Sequence, residues 1–262
     1  MGFYSSFQER SREKGQLCVG LDPEISKMPE KFRTVAGLYE FCREIADATA
    51  DFASAFKPNI AFFESSGSEG ILQFEKLVAY LKKNHPAIPL IADAKRGDLG
   101  NTAKEYARYF FEVLQVDALT LSPYMGRDSI EPFLEFQNSF VFLLCLTSNP
   151  GSADFQKKIF TDGETLFTKV ANLAESLGKD KAGLVVGGTN PQEMSGIRKK
   201  HPELVFLVPG VGAQGGDSQK IVAAGGKNSV ISVSRSILYA SSGNDFAEKA
   251  RAAAAEFSAE MI

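Results

Sequence analysis

Short apolar runs rich in Val, Leu, Ile and Ala recur along the chain, and between them lie longer stretches in which apolar residues return every three or four positions. The short runs have the pattern of strands buried on both faces, and the longer stretches that of amphipathic helices. Eight strands are predicted: 17–21, 55–58, 90–95, 118–121, 141–146, 183–186, 205–208 and 230–233. Helical segments centred near Phe41, Leu77, Tyr106, Phe133, Leu173, Met194, Val222 and Ala250 fall between and after them. Eight such alternations in about 245 residues predict the α/β class and a (βα)8 TIM barrel, with residues 1–262 as a single domain. A doubly wound dinucleotide-binding sheet would carry GxGxxG after its first strand, where this sequence reads LDPEIS.

Composition limits the chemistry. Lys and Arg number 29 against 32 Asp and Glu, a formal charge of −3, so no general basic surface is expected for nucleic acid or an anionic membrane. Any anion must be held by a few placed residues. Cys18, Cys42 and Cys145 form no CxxC pair and read as reduced, buried thiols. No apolar run approaches the 18 or so residues that would suggest a membrane span, and Met1–Lys14 is polar and mixed in charge, so a cytoplasmic protein is expected. The two histidines, His85 and His201, each precede a proline in KKNHP and KKHP, after a predicted helix and before the next strand. They read as helix-stop residues at the inactive end of a barrel, which speaks against a Ser-His-Asp triad or a multi-histidine metal site.

The polar residues at the predicted strand C-termini are Asp22, Lys57, Asn59, Asp93, Lys95, Asp98, Thr147, Ser148 and Arg235. The densest group is IADAKRGDLGNT, where Asp93 and Lys95, two apart on a strand, are expected on the same interior face. A buried Asp-Lys pair is costly to desolvate and adds little net stability, which weighs toward function. Lys57 in AFKPN could join it, and reads as well as a solvated lysine before proline. Asp98 lies beyond the strand, where an acid at a helix start is equally good, and Thr102 to Glu105 reads as a capping box. Spacing alone does not bring Asp98 near Lys95. The segments PGVGAQGGD and SRS follow the last two strands, and small residues there let backbone N–H groups approach an anion. With the Arg235 guanidinium and the Gln214 amide, they predict a phosphate site and hence a phosphorylated small-molecule ligand.

These residues carry a resemblance. DAKRGDLGNTA is similar to the DxKxxD signature of the orotidine 5′-phosphate decarboxylase family, and VGLDP, FKPNIAFFE, LTSNPG, PGVGAQGGD and VSRSILYA resemble that family in the same order over nearly the whole chain. KPNxAFFE and DAKRGD resemble its longer bacterial branch. Where the shorter form has isoleucine and proline after the second aspartate, this chain has Leu99 and Gly100.

The resemblance implies decarboxylation of orotidine 5′-phosphate to uridine 5′-phosphate with no metal, flavin or pyridoxal. It implies a charged network of Lys57, Asp93, Lys95 and Asp98, in which Lys95 protonates C6 and Asp98 comes from the partner of a homodimer. Asp22 matches a ribose-hydroxyl ligand, Thr102 a contact across the interface, Ser148 a pyrimidine contact, and Gln214 with Arg235 the phosphate contacts; Asn59 also matches, with no role specified. Three rival readings stand beside it: within lyases a metal-dependent sugar-phosphate decarboxylase, next a Schiff-base aldolase or isomerase, and, in a different class, a barrel that binds a nucleotide without catalysis.

Overall fold

Eight strands form where the chain is most continuously apolar: β1 Leu17–Leu21, β2 Ala55–Pro58, β3 Ile91–Arg96, β4 Ala118–Leu121, β5 Phe140–Leu146, β6 Ala182–Val186, β7 Phe206–Pro209 and β8 Ser229–Val233. The computed structural model describes residues 2–210 and 218–261. β1, β2 and β4 have the predicted bounds, and the other five differ by one residue at one or both ends. The strands follow the sheet order β2-β1-β8-β7-β6-β5-β4-β3, and bridges Phe56–Leu90 and Asn59–Asp93 join β2 to β3. That is the cyclic order of a (βα)8 barrel. Among the described residues no helix is long and apolar enough to cross a membrane.

The chain divides into two compact units. One holds Ser6–Ala94 and Ser232–Ile262. In it β1 pairs in parallel with β2, setting Gly20 opposite Lys57 and Leu21 opposite Pro58. Gly20 is required there, because a Cβ would stand 2.8 Å from the Cβ of Ser234, just past β8. The helices Gly37–Thr49, Gly67–Asn84 and Phe246–Glu260 cover these strands, with Phe41 and Phe246 packed at 5.6 Å in their core. His85 ends the Gly67–Asn84 helix, donating its N–H to Leu81 O, as the sequence predicts.

The other unit holds Met1–Ser5 and Lys95–Ile231. Its strands β4, β5, β6 and β7 pair in parallel in sequence order. His201 caps the Pro191–Lys200 helix with an N–H bond to Ile197 O, again a helix stop. Two predictions need correction here. The helix expected near Phe133 is a single turn, Glu131–Leu134, because Pro132 fits only its start and the chain reaches β5 six residues after Leu134. The helix expected near Tyr106 is Gly100–Ala107 continued by a π-helical turn, Arg108–Val113.

The chain also opens with an unpredicted helix, Phe3–Lys14, anchored by the buried rings of Phe3 and Phe7. Two apolar anchors one turn apart in a polar stretch are too sparse to register as a periodic face.

Candidate active site

In the unit containing β1, β2 and the start of β3, the sequence-predicted residues Asp22, Lys57 and Asp93 come together. Lys57 is 4% exposed, and its Nζ lies 3.2 Å from Asp93 Oδ2 and 3.7 Å from Asp22 Oδ1. This settles the alternatives for Lys57, which is not a solvated lysine. Burial is the largest influence on its ammonium and would lower its pKa, but Asp22 and Asp93 together outweigh it and hold the group charged, above the usual lysine value. Cys18, one strand residue from Val19 in β1, is pushed up to about 12, first by burial and then by the same carboxylates, against the opposing effects of Lys57 and Ser232. Cys42 and Cys145 are raised by burial too, so all three free thiols are inert by environment.

Asp22 holds a second feature. Its Oδ1 is buried, and among the described residues it has no hydrogen-bond donor, only the longer ion pair to Lys57. The loop that carries it is fixed from the far end of the chain by Tyr239, whose hydroxyl donates to Asp22 O at 2.9 Å and accepts from Glu24 N at 2.6 Å. Tyr239 stacks on Phe41. It follows the one-turn helix Arg235–Leu238, so the residue predicted to bind phosphate and the clamp on the Asp22 loop share one short segment. Arg235 itself is exposed. Asn59 now has a structural role: its Oδ1 accepts from Ala61 N at 3.1 Å and starts the one-turn helix Ala61–Glu64.

Lys95 belongs to the other unit, and here the period-two expectation fails. Lys95 has φ +47°, so the extended alternation that would set it on the face of Asp93 stops at Ala94, and Lys95 is exposed. A left-handed lysine costs about 1–2 kcal/mol, and such backbone clusters at functional sites. Its N–H is held by Thr120 Oγ1 on β4 at 2.9 Å. Asp98 accepts from Leu99 N at 2.8 Å, which fits the acid-at-helix-start reading. The capping box is not formed: the helix begins at Gly100 with Leu99 as its cap, so Thr102 sits inside the first turn and is exposed. Gly100 has φ +49°, a value proline's ring forbids, so this turn differs in shape from one built with proline at that position.

Ser148 lies just past β5, and its carbonyl accepts from Thr189 Oγ1 at 3.3 Å. The preceding Thr147 is bound on both sides, by Gln156 Oε1 to its N–H at 2.7 Å and by Asn190 Nδ2 to its carbonyl at 3.2 Å. Gly187 presses against the same turn, since a Cβ there would come within 2.6 Å of Ser148 N. Gln214, in the PGVGAQGGD segment, lies outside the described residues.

Sequence reasoning missed Thr120, Tyr239, Gln156 and Asn190. Thr120, Tyr239 and Asn190 act through hydrogen bonds to residues distant along the chain and Gln156 through bonds within its own loop, and Thr120 interrupts an otherwise apolar strand, which is a signal in itself. A buried hydroxyl needs a partner.

Comparison with known proteins bears on this arrangement. A model of the "Orotidine 5′-phosphate decarboxylase / HUMPS family" matches residues 15–252. An orotidine 5′-phosphate decarboxylase of Leptospira interrogans is 54% identical over 253 residues, covering 95% of this chain and 92% of that protein. The solved OMP decarboxylase of Leishmania donovani is 36% identical with a TM-score of 0.85, covering 100% of this chain and 99% of the other. A solved chain from Toxoplasma gondii aligns with a TM-score of 0.89 at 32% identity, covering 99% and 96%. With the motifs in order, the charged cluster at the strand ends and these matches over nearly its full length, the chain belongs to the orotidine 5′-phosphate decarboxylase family.

Proposed function

We infer that this chain decarboxylates orotidine 5′-phosphate to uridine 5′-phosphate and CO2, the last step of pyrimidine nucleotide synthesis. The observation that carries the reading is the buried Lys57 between Asp93 and Asp22, on the strand ends that lead into DAKRGD. Burying Lys57 and Asp93, with Asp22 partly buried beside them, is a poor route to stability, and a nucleotide-binding surface has no use for it. The difficulty of the reaction is charge at C6, which no adjacent carbonyl absorbs as an enolate. An ammonium preorganised beside that carbon stabilises the developing carbanion and then supplies the proton; in this reading it belongs to Lys95. Lys57 stays charged between its carboxylates and fixes Asp93 near the position of the leaving carboxylate. Loss of CO2 would then also relieve a like-charge contact. The Asp22 carboxylate, with an oxygen lacking a donor, suits a ribose hydroxyl. Arg235 and Gln214 take the phosphate, whose binding energy orders the site around the reacting ring. No cofactor enters this scheme.

The test is the ultraviolet absorbance change on adding orotidine 5′-phosphate to metal-free protein. A change matching uridine 5′-phosphate formation is expected. No change, with activity on a sugar phosphate that disappears with a chelator, would favour the metal-dependent rival. Borohydride trapping with substrate would favour the Schiff base.

The catalytic unit in this reading is a homodimer in the cytoplasm, with Asp98 and Thr102 completing the partner's site. Support comes from the exposed apolar side chains Leu99, Tyr106, Tyr124 and Met125, on the segment that carries Asp98 and on the loop after β4. Three free, buried cysteines fit a reducing compartment. Mixing inactive Lys57→Ala and Asp98→Ala subunits should restore activity at one site per mixed dimer. Subunit exchange without recovery would count against Asp98 acting in trans.

A further inference from the structure

Among the described residues, three other than glycine have positive φ: Lys95, Gln115 and Asn138. Gln115 and Asn138 lie in loops and turns, whereas Lys95 lies within a strand. Asparagine enters that region with help from its own short amide, and lysine has no such aid. Something outside Lys95 must therefore hold its backbone.

The neighbouring strand β4 reads Ala118-Leu119-Thr120-Leu121, four buried residues of which Thr120 alone is polar, and it is 1% exposed. Its Oγ1 accepts the Lys95 N–H at 2.9 Å, so at this point a side chain from β4 meets the β3 backbone. One residue later a backbone bond follows, Ser122 N to Arg96 O at 2.8 Å. The left-handed residue is thus pinned by the Thr120 hydroxyl and followed directly by backbone pairing at Arg96. The β-branched carbon of threonine restricts χ1, which fixes where Oγ1 stands. Both residues belong to the same compact unit.

We propose that Thr120 is a positioning residue for the reaction: its hydroxyl holds the Lys95 backbone in the left-handed conformation from which the ammonium is aimed. The inference rests on the reading of Lys95 as the proton donor, and it adds a residue that touches neither substrate nor reacting atoms. Loss of one such bond corresponds to roughly a two- to tenfold effect, and poor aim of an acid enlarges it.

The experiment compares Thr120→Val, which keeps shape and removes the acceptor, with Thr120→Ser, which keeps the acceptor. The measurements are kcat, KM and the affinity for uridine 5′-phosphate. The expected result is a kcat lower by roughly fivefold or more in Thr120→Val, product affinity within about twofold of the parent, and a Thr120→Ser kcat within about fivefold. A merely structural role would lower thermal stability and leave kcat in place. A folded Thr120→Val with kcat within about fivefold of the parent, or a Thr120→Ser as impaired as the valine variant, overturns the proposal. Should Thr120→Val not fold, Thr120→Cys, whose thiol is a weak acceptor, takes its place with the same two outcomes. Lys95→Ala, run alongside, separates the two ideas. If it turns over at the parent rate, the proton-donor reading falls and the positioning role with it; if it is inactive while Thr120→Val is unimpaired, only the positioning role falls.

Discussion

Lys57 and Lys95 stand near the ends of adjacent strands, and the protein holds them by opposite means. Lys57 is buried on an extended strand and is held by charge, with carboxylates at 3.2 and 3.7 Å. Lys95 is exposed on a left-handed backbone and is held by its main chain, through the bond to Thr120. A group that must stay charged and fixed can be locked by desolvated neighbours. In the proposed reaction Lys95 must reach a ligand and give up a proton, so it has to stay accessible and its precision is built into the backbone behind it. The two lysines thus carry different failure modes.

The largest expected effect breaks the comparison on the Lys95 side. Lys95→Ala should lower turnover by about three orders of magnitude or more, the range of a lost general acid, with little change in stability because the side chain is exposed. Turnover with orotidine 5′-phosphate and a thermal melt measure the two halves of that statement. Lys57→Met should do the reverse in emphasis. It leaves Asp22 and Asp93 without their shared cation and should cost about 3–5 kcal/mol of stability, read from denaturant unfolding. If the melt of Lys57→Met matches the parent, the pair of carboxylates is better solvated than its geometry implies.

The smallest effect concerns the insulation of the Lys57 side. Cys18 has its pKa raised from 9.0 to about 12, chiefly by burial. Below about pH 9 the thiol holds its proton folded or unfolded, and its contribution is complete. Above that, the unfolded chain loses the proton while the native chain keeps it, so stability declines until the pH reaches about 12. Cys18→Ala should flatten this decline by up to about 1.4 kcal/mol per pH unit, seen as unfolding free energy against pH from 8 to 11 or so. A thiol reagent should leave Cys18 unmodified in the native protein and label it in denaturant.

How much of this was legible in the sequence follows from what kind of interaction built each part. The strands were readable because parallel strands covered on both faces need continuous apolar runs, and β1, β2 and β4 match to the residue. The Lys57, Asp93 and Asp22 cluster was readable in part: all three were singled out as polar residues near predicted strand C-termini, but Lys57 read equally well as solvated and spacing did not group Asp22 with it. The conformation of Lys95 was not, since a rule of alternation assumes an extended backbone and no residue type in IADAKR signals its failure. Thr120 and Tyr239 were hidden for a different reason. They contact residues 25 and 217 positions away, and only the folded chain supplies those pairings. The absent capping box at Thr102 shows the converse, a local motif overridden when Leu99 and Gly100 start the helix earlier.

The buried oxygen of Asp22 has a consequence for discrimination among ligands. An ionised carboxylate only accepts, so a molecule that presents a hydroxyl there satisfies it, whereas one that presents a hydrogen or an ether oxygen leaves it with only the ion pair to Lys57 at 3.7 Å. If Asp22 meets a ribose hydroxyl as proposed, selection there works by exclusion: the wrong molecule is penalised more than the right one is rewarded, and a single atom of the protein sorts sugars by what they lack.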